Sequence, residues 1–256
     1  MLRSRNRRLA LYLLIGAGMY LALCFVMAKG YLSPIRRIPV AMPPLEERSA
    51  NGTPVWTTPR FGSGKVLFVM SHGLGGARDT WSDLMLGLHE RGYDCVAPAM
   101  PGQDAHPDPT IGFGAKEART IAQTVEWART QYGEPPKVVL VGLSMGGAAA
   151  WLASEIEPGV DGVVTEGAYA RFDEAMNRFF DRRLPYGSVL FRPVVWFASS
   201  MSGTRAEEVV PLDSARKWRG RPSLVIQGSD DDLIQHSHAQ RLAEASGGEL
   251  WVVDKA

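Results

Sequence analysis

Two cysteines in 256 residues, Cys24 and Cys95, are too few for a disulfide scaffold or a thiolate metal cage. The net charge is only +1, so no overall basic field suits a nucleic acid. Charged residues make up 21% and hydrophobic residues 45%, which excludes disorder and fibres. No acidic residue precedes Glu46, whereas the first 40 residues hold seven basic ones: Arg3, Arg5, Arg7, Arg8, Lys29, Arg36 and Arg37. Residues 41–256 carry the other 21 basic residues against all 27 acidic ones, a net of −6. A mildly acidic body of one-domain length, with room for an inserted lid, therefore follows a basic, apolar leader.

Leu9 to Ala28 is a charge-free run of 20 residues. As a helix it measures about 30 Å, the hydrocarbon thickness of a bilayer. The arginines before it predict a single-pass anchor, with residues 1–8 as a cytoplasmic tail and the body on the far side. A cleaved signal peptide is the alternative, since Val26-Met27-Ala28 is a tolerable cleavage context, but the run exceeds the usual apolar core of about 7–15 residues. Leu23 is too bulky for a lipobox ending at Cys24, and Gly18 and Ala22 read as tolerated small residues rather than a dimer face. Residues 29–59, with six prolines from Pro34 onward, read as a linker feeding one or two edge strands.

From residue 60 to 256 the pattern alternates strand and helix. Apolar runs predict strands at 65–70, 94–97, 138–141, 162–165, 223–227 and 249–253. Helical periodicity covers 80–91, 114–132, 146–157 and 237–245. Buried parallel strands separated by helices mean an α/β fold with a doubly wound, mostly parallel sheet. Residues 169–211 break the alternation and hold eight of the 23 aromatic residues and six arginines. They read as a helical lid, its aromatics mainly packing it on the body and a few able to line an acyl pocket.

The strongest chemical signal is Gly142-Leu143-Ser144-Met145-Gly146 between a predicted strand and a predicted helix. That context makes G-x-S-x-G a nucleophile elbow: a turn tight enough to demand Gly142 and Gly146, with the Ser144 oxygen exposed at a helix N-terminus. Ser71-His72-Gly73-Leu74-Gly75-Gly76 follows the first strong strand. Its glycine turn can aim the Leu74 N–H at Ser144, forming an oxyanion hole with the Met145 N–H. His72 reads as support for that loop. Gly228-Ser229-Asp230-Asp231-Asp232 ends a strand where a carboxylate can orient an imidazole. Asp231 has the best spacing of the three, and Glu166 is the reserve. A calcium loop lacks its glycine, Gly62-Ser63-Gly64-Lys65 lacks the rest of a P-loop, and Gly73-Leu74-Gly75 has Arg78 where a dinucleotide fingerprint needs glycine. Asn51-Gly52-Thr53 is a sequon that matters only in a eukaryotic secretory chain.

Residues 64–256 resemble the α/β-hydrolase superfamily of serine hydrolases, in particular its lid-bearing, monoacylglycerol-lipase-like and acyl-aminopeptidase-like esterases. The resemblance rests on Ser71–Gly76, on Gly92–Pro98 followed by Pro101-Gly102-Gln103-Asp104, on Gly142–Gly147, on Pro211-Leu212-Asp213 and on Gly228–Ile234. It implies Ser144 as nucleophile, Asp231 as acid, Leu74 and Met145 as oxyanion donors, and no metal or organic cofactor. The substrate class it implies is an ester, thioester or amide of a small or lipid-like acyl group. The family's base is a histidine in the loop after the last strand, yet this text ends at Asp254-Lys255-Ala256. The expectation is therefore a chain truncated just short of its base. His89 and His106 are placed away from the strand ends, and His236 and His238 at a helix start facing solvent, a poor rival source of the base. A non-catalytic, hydrolase-like binding module is the competing reading.

Overall fold

The computed structural model describes residues 2–134 and 136–255. Met1 of the basic tail and Ala256 of the terminal loop lie outside that range. Helix α1 (Leu2–Leu32) takes in the basic tail and the apolar run, and is long and apolar enough to cross a membrane. Its Cys24, Ala28 and Leu32, one face at helical spacing, are fully covered by the rest of the chain. An extended stretch then leads to the hairpin β1 (Glu46–Ala50) and β2 (Thr53–Thr57).

The body is a doubly wound α/β sheet. Its further strands are β3 (Val66–Ser71), β4 (Asp94–Pro98), β5 (Lys137–Leu143), β6 (Gly162–Glu166), β7 (Ser223–Gly228) and β8 (Glu249–Val253). The order is β1-β2-β4-β3-β5-β6-β7-β8, parallel from β4 onward, with the hairpin joined antiparallel to β4. The central parallel strands β3 and β5 are rich in Val and Leu because both faces are covered, whereas the edge strand β8 leaves Trp251 and Val252 exposed. One face packs α3 (Ala115–Arg129), α4 (Met145–Ile156), α8 (Pro211–Lys217) and α9 (His236–Ser246) over Leu67, Val69, Leu140, Val163 and Val225. The other packs α2 (Ser82–His89) over Met70, Cys95 and Val141.

The chain leaves β3 toward one edge and returns at β5 toward the other, so the sheet reverses its winding between these two neighbours. Loops diverge there and leave a crevice at the carboxyl ends of the strands. Ser71 and Gly142 are partners in register at that point.

The predicted lid consists of α5 (Phe172–Asp181), α6 (Gly187–Leu190) and α7 (Arg192–Ser202), followed by a short 3-10 turn. Two backbone bonds close its base: the Phe172 N–H donates to the Val209 carbonyl, and the Leu212 N–H to the Ala170 carbonyl. Its aromatics do pack it down. Phe113 of the body stacks on Phe172 at 4.6 Å between ring centroids, and the buried Tyr169 hydroxyl donates to the Phe113 carbonyl at 2.7 Å.

Candidate active site

Ser144 joins β5 to α4 in a turn that forces φ to +52° and ψ to −118°. A non-glycine residue keeps such a conformation only where its surroundings impose it. They do so here. A side chain at Gly146 would overlap the Ser71 and His72 carbonyls, and one at Gly142 would overlap the backbone of Gly146 and Gly147. A Cβ at Gly147 would stand 2.9 Å from the Ala168 methyl. The Ser144 N–H is fixed by the Glu166 carbonyl at 2.7 Å. The alanines that follow in α4 let the helix lie close on the sheet, with its N-terminal end beneath the serine.

The turn after β3 lies directly over Ser144. A Cβ at Gly73 would be 3.2 Å from the Ser144 Cβ. Leu74 follows it and is exposed, whereas Met145 is buried. Three side chains hold this turn. The fully buried His72 pairs through Nδ1 with the Gly73 carbonyl at 2.9 Å, and burial pushes its pKa down. The Gln103 side-chain oxygen accepts the Gly75 N–H. Asp104, itself at φ +48°, accepts the Arg78 N–H at 3.0 Å and the Arg78 guanidinium at 2.9 and 3.2 Å. Arg78 also lies over the Trp56 ring at 5.4 Å. In the sequence Arg78 is only a misfit to a dinucleotide fingerprint, and Gln103-Asp104 only part of the resemblance to the hydrolases. Their pairing spans 26 residues, and no local pattern signals it.

Ser144 and Asp231 border one cavity of about 330 Å³, lined also by Glu166, Gly167, Leu233, Ile234 and Val253. Asp231 Oδ1 accepts the Leu233 and Ile234 N–H groups, each at 2.9 Å. Its Oδ2 accepts from Nε2 of the buried Gln227 at 3.3 Å. These bonds tether the carboxylate in place at the end of β7. Asp230 and Asp232 do not line the cavity. Asp232 is exposed and pairs with Arg182 of the lid at 2.9 Å, latching α5 to this loop. Glu166 stays in the same cavity as the reserve carboxylate. Gln227, which holds Asp231, carried no signal in the sequence beyond its place at a strand end.

No histidine lines this cavity among the described residues. His236 and His238 begin α9, but the expectation that both face solvent fails for His238, which is buried. Its Nδ1 accepts the Ala170 N–H at 3.2 Å and lies 3.8 Å from Glu174, which pairs with Arg241. Burial, opposed by Glu174, pushes the His238 pKa down. The neutral ring is therefore favoured in the folded state, and its contribution to stability is complete above about pH 6.5, where the unfolded ring is neutral too. It is lost as pH falls from there through the lower folded pKa. Between these limits the native chain should lose up to about 1.4 kcal/mol per pH unit more than His238→Gln, whose amide oxygen can still accept the Ala170 N–H. Urea unfolding of both chains from pH 8 to pH 5 checks this, and parallel profiles would show that His238 does not carry the dependence.

Residues 66–256 match the family model described as the alpha/beta hydrolase family. Among solved structures, an esterase of Pyrococcus furiosus is similar, with a TM-score of 0.67 and 18% identity over 87% of this chain and 90% of that one. An esterase of Thermogutta terrifontis gives a TM-score of 0.64 and 16% identity, over 88% and 86%. The thioesterase domain of the curacin biosynthetic pathway gives 0.55 and 13%, over 82% and 92%. No curated protein sequence matches. With a family model covering most of its length, and with the sheet, elbow and strand-end loops arranged as above, the chain belongs to the alpha/beta hydrolase family.

Proposed function

We propose that this chain is a membrane-anchored serine hydrolase that cleaves an acyl ester, thioester or amide, with Ser144 as nucleophile. The observation that carries this reading is Ser144 held in a strained turn across one cavity from the tethered carboxylate of Asp231. Ser144 Oγ attacks the carbonyl carbon. Its proton passes to an imidazole oriented by Asp231, and the carbonyl oxygen becomes an oxyanion held by the Leu74 and Met145 N–H groups. The imidazole returns that proton to the leaving group, and water then releases the acyl group from Ser144. Among the described residues no histidine lines the cavity to serve as that imidazole. His238 does not serve, because its ring lies under the lid and its Nδ1 is committed to Ala170.

The acyl preference rests on a second cavity, about 280 Å³ and almost wholly apolar, lined by Tyr31, Phe113, Phe172, Phe180 and Val194 among others. Its walls belong to the same apolar cluster as Met145, the residue after the nucleophile. Its volume lies just below the usual range for ligand pockets, about 300–1,000 Å³, and suits one chain better than a branched body. Arg7 and Arg8, with Arg3 and Arg5 before them, put the N-terminus in the cytoplasm and the hydrolase domain outside it.

A fluorophosphonate probe separates this reading from a binding module. The native chain should be labelled covalently, and Ser144→Ala should not. A native chain that stays unlabelled would favour the module.

A further inference from the structure

Helix α1 is bare along its first half and packed along its second. Every residue from Asn6 to Met19 is exposed. From Tyr20 onward the lid and body cover one side. The Tyr20 hydroxyl donates to the Leu190 carbonyl, Phe25 meets the edge of Phe197 at 5.5 Å, and Cys24 and Ala28 are fully covered. Below them Tyr31 stacks on Phe113, and the Leu32 carbonyl accepts the Ile111 N–H.

Length then decides where the lid sits. The bare, charge-free part, Leu9 to Met19, is 11 residues. That is about 16 Å of helix, roughly half of a hydrocarbon layer about 30 Å thick. To span, α1 needs the rest of the run to Ala28, a further stretch of about 12 Å between Tyr20 and Ala28. That stretch is the part against which the lid is packed. A body resting wholly above the bilayer is therefore incompatible with a spanning α1.

The lid surface agrees. Val189 is 65% exposed, Leu190 45% and Trp196 64%; Val189 and Trp196 border a groove with Leu21 of α1, and the Leu190 carbonyl accepts the Tyr20 hydroxyl. Arg192 stands one turn before Trp196 on α7, and both border the groove that includes Leu21 of α1. Arginine and tryptophan together are the side chains that settle at a bilayer interface, the arginine reaching up to the head groups.

We infer that α6 and α7 are immersed in the leaflet on the far side of the membrane from the N-terminus, lying against α1 as one membrane-embedded unit. The partner of this surface is lipid. Met27 and Tyr31 wall the apolar cavity, so immersion sets that cavity at the edge of the hydrocarbon, and an acyl chain can reach it from the leaflet without crossing water. The inference rests on the anchored reading above, and the test separates the two.

Spin labels are placed on single cysteine variants of the full chain, Leu13→Cys, Val189→Cys, Trp196→Cys and Ile156→Cys, with the buried Cys24 and Cys95 left in place. The protein is reconstituted in vesicles of phosphatidylcholine with phosphatidylglycerol. Relaxation by oxygen, which concentrates in hydrocarbon, is compared with relaxation by a water-soluble nickel chelate. Labels at positions 189 and 196 should shift toward oxygen with the label at 13, while the label at 156, at the far end of α4, stays with nickel. Labels at 189 and 196 that follow nickel, with 13 still in hydrocarbon, would overturn the immersed lid and leave the anchor standing. Labels at both lid positions shielded from both reagents would overturn it too, in favour of a second copy covering α7. A label at 13 that follows nickel would overturn anchor and lid together. As a check free of labels, brominated acyl chains should quench the native chain more than Trp196→Phe, and equal quenching would count against immersion.

Discussion

Wherever the chain turns over an acyl ester, replacing Ser144 by alanine is expected to abolish fluorophosphonate labelling and to lower kcat by about 10³-fold or more, leaving only the enhancement from the oxyanion donors and binding. Stability should hardly change. The hydroxyl is only partly buried, and alanine meets the same positive φ as serine, so the strain imposed by Gly142, Gly146 and Gly147 remains. Asp231→Asn should also cost heavily, because an amide there can present its NH₂ to the imidazole and favour the wrong tautomer. Glu166→Gln should cost less, because the Glu166 carbonyl that fixes the Ser144 N–H belongs to the backbone and survives the change. Ester turnover of the three variants checks the order. A larger loss for Glu166→Gln than for Asp231→Asn would reassign the acid, and retained labelling in Ser144→Ala would remove the nucleophile from this position.

The largest loss of stability is expected for Arg78→Met. The side chains of Arg78 and Asp104 are 2% and 0% exposed, and three bonds join Arg78 to the Asp104 carboxylate. Removing the guanidinium leaves a carboxylate in a dry setting with only backbone donors, a change that costs about 3–5 kcal/mol. Removing both charges is milder, since buried pairs replaced by apolar groups of similar size are often neutral. Urea unfolding should therefore place Arg78→Met well below the native chain and Arg78→Met/Asp104→Leu between the two. A single variant within about 1 kcal/mol of native would show that the pair behaves like a surface ion pair. The turn 72–76 hangs from these groups, so the double variant should also label more slowly at Ser144 than the native chain does.

The α/β alternation was legible because the central strands of the sheet are buried on both faces and their helices on one, and burial writes itself into sequence as apolar runs and 3.6-residue stripes. Ser144 was legible for a different reason. Its turn tolerates no side chain at Gly142 or Gly146, so the packing leaves a readable spacing between a strand and a helix. What escaped was set by contacts between distant segments. Arg78 finds Asp104 and His238 finds Ala170 only once the sheet has formed. The placing of His238 at the surface failed because its position at a helix start says nothing about the lid segment folded over it. The second half of α1 escaped as well. An apolar stripe that meets α7 reads the same as one that meets lipid, since both partners are hydrocarbon.

The hairpin at the other margin of the sheet bears on how copies of this chain live together. On a membrane, tethered molecules move in two dimensions and collide side by side, the geometry in which an open strand edge could zip one sheet onto the next. The margin offered there is β1, only five residues long, with Glu46 and Glu47 exposed and Arg48 paired to Glu46 at 2.8 Å. A short, charged strand is a poor template for another strand. Copies tethered as proposed and meeting at this margin therefore face an edge that repels continuation of the sheet.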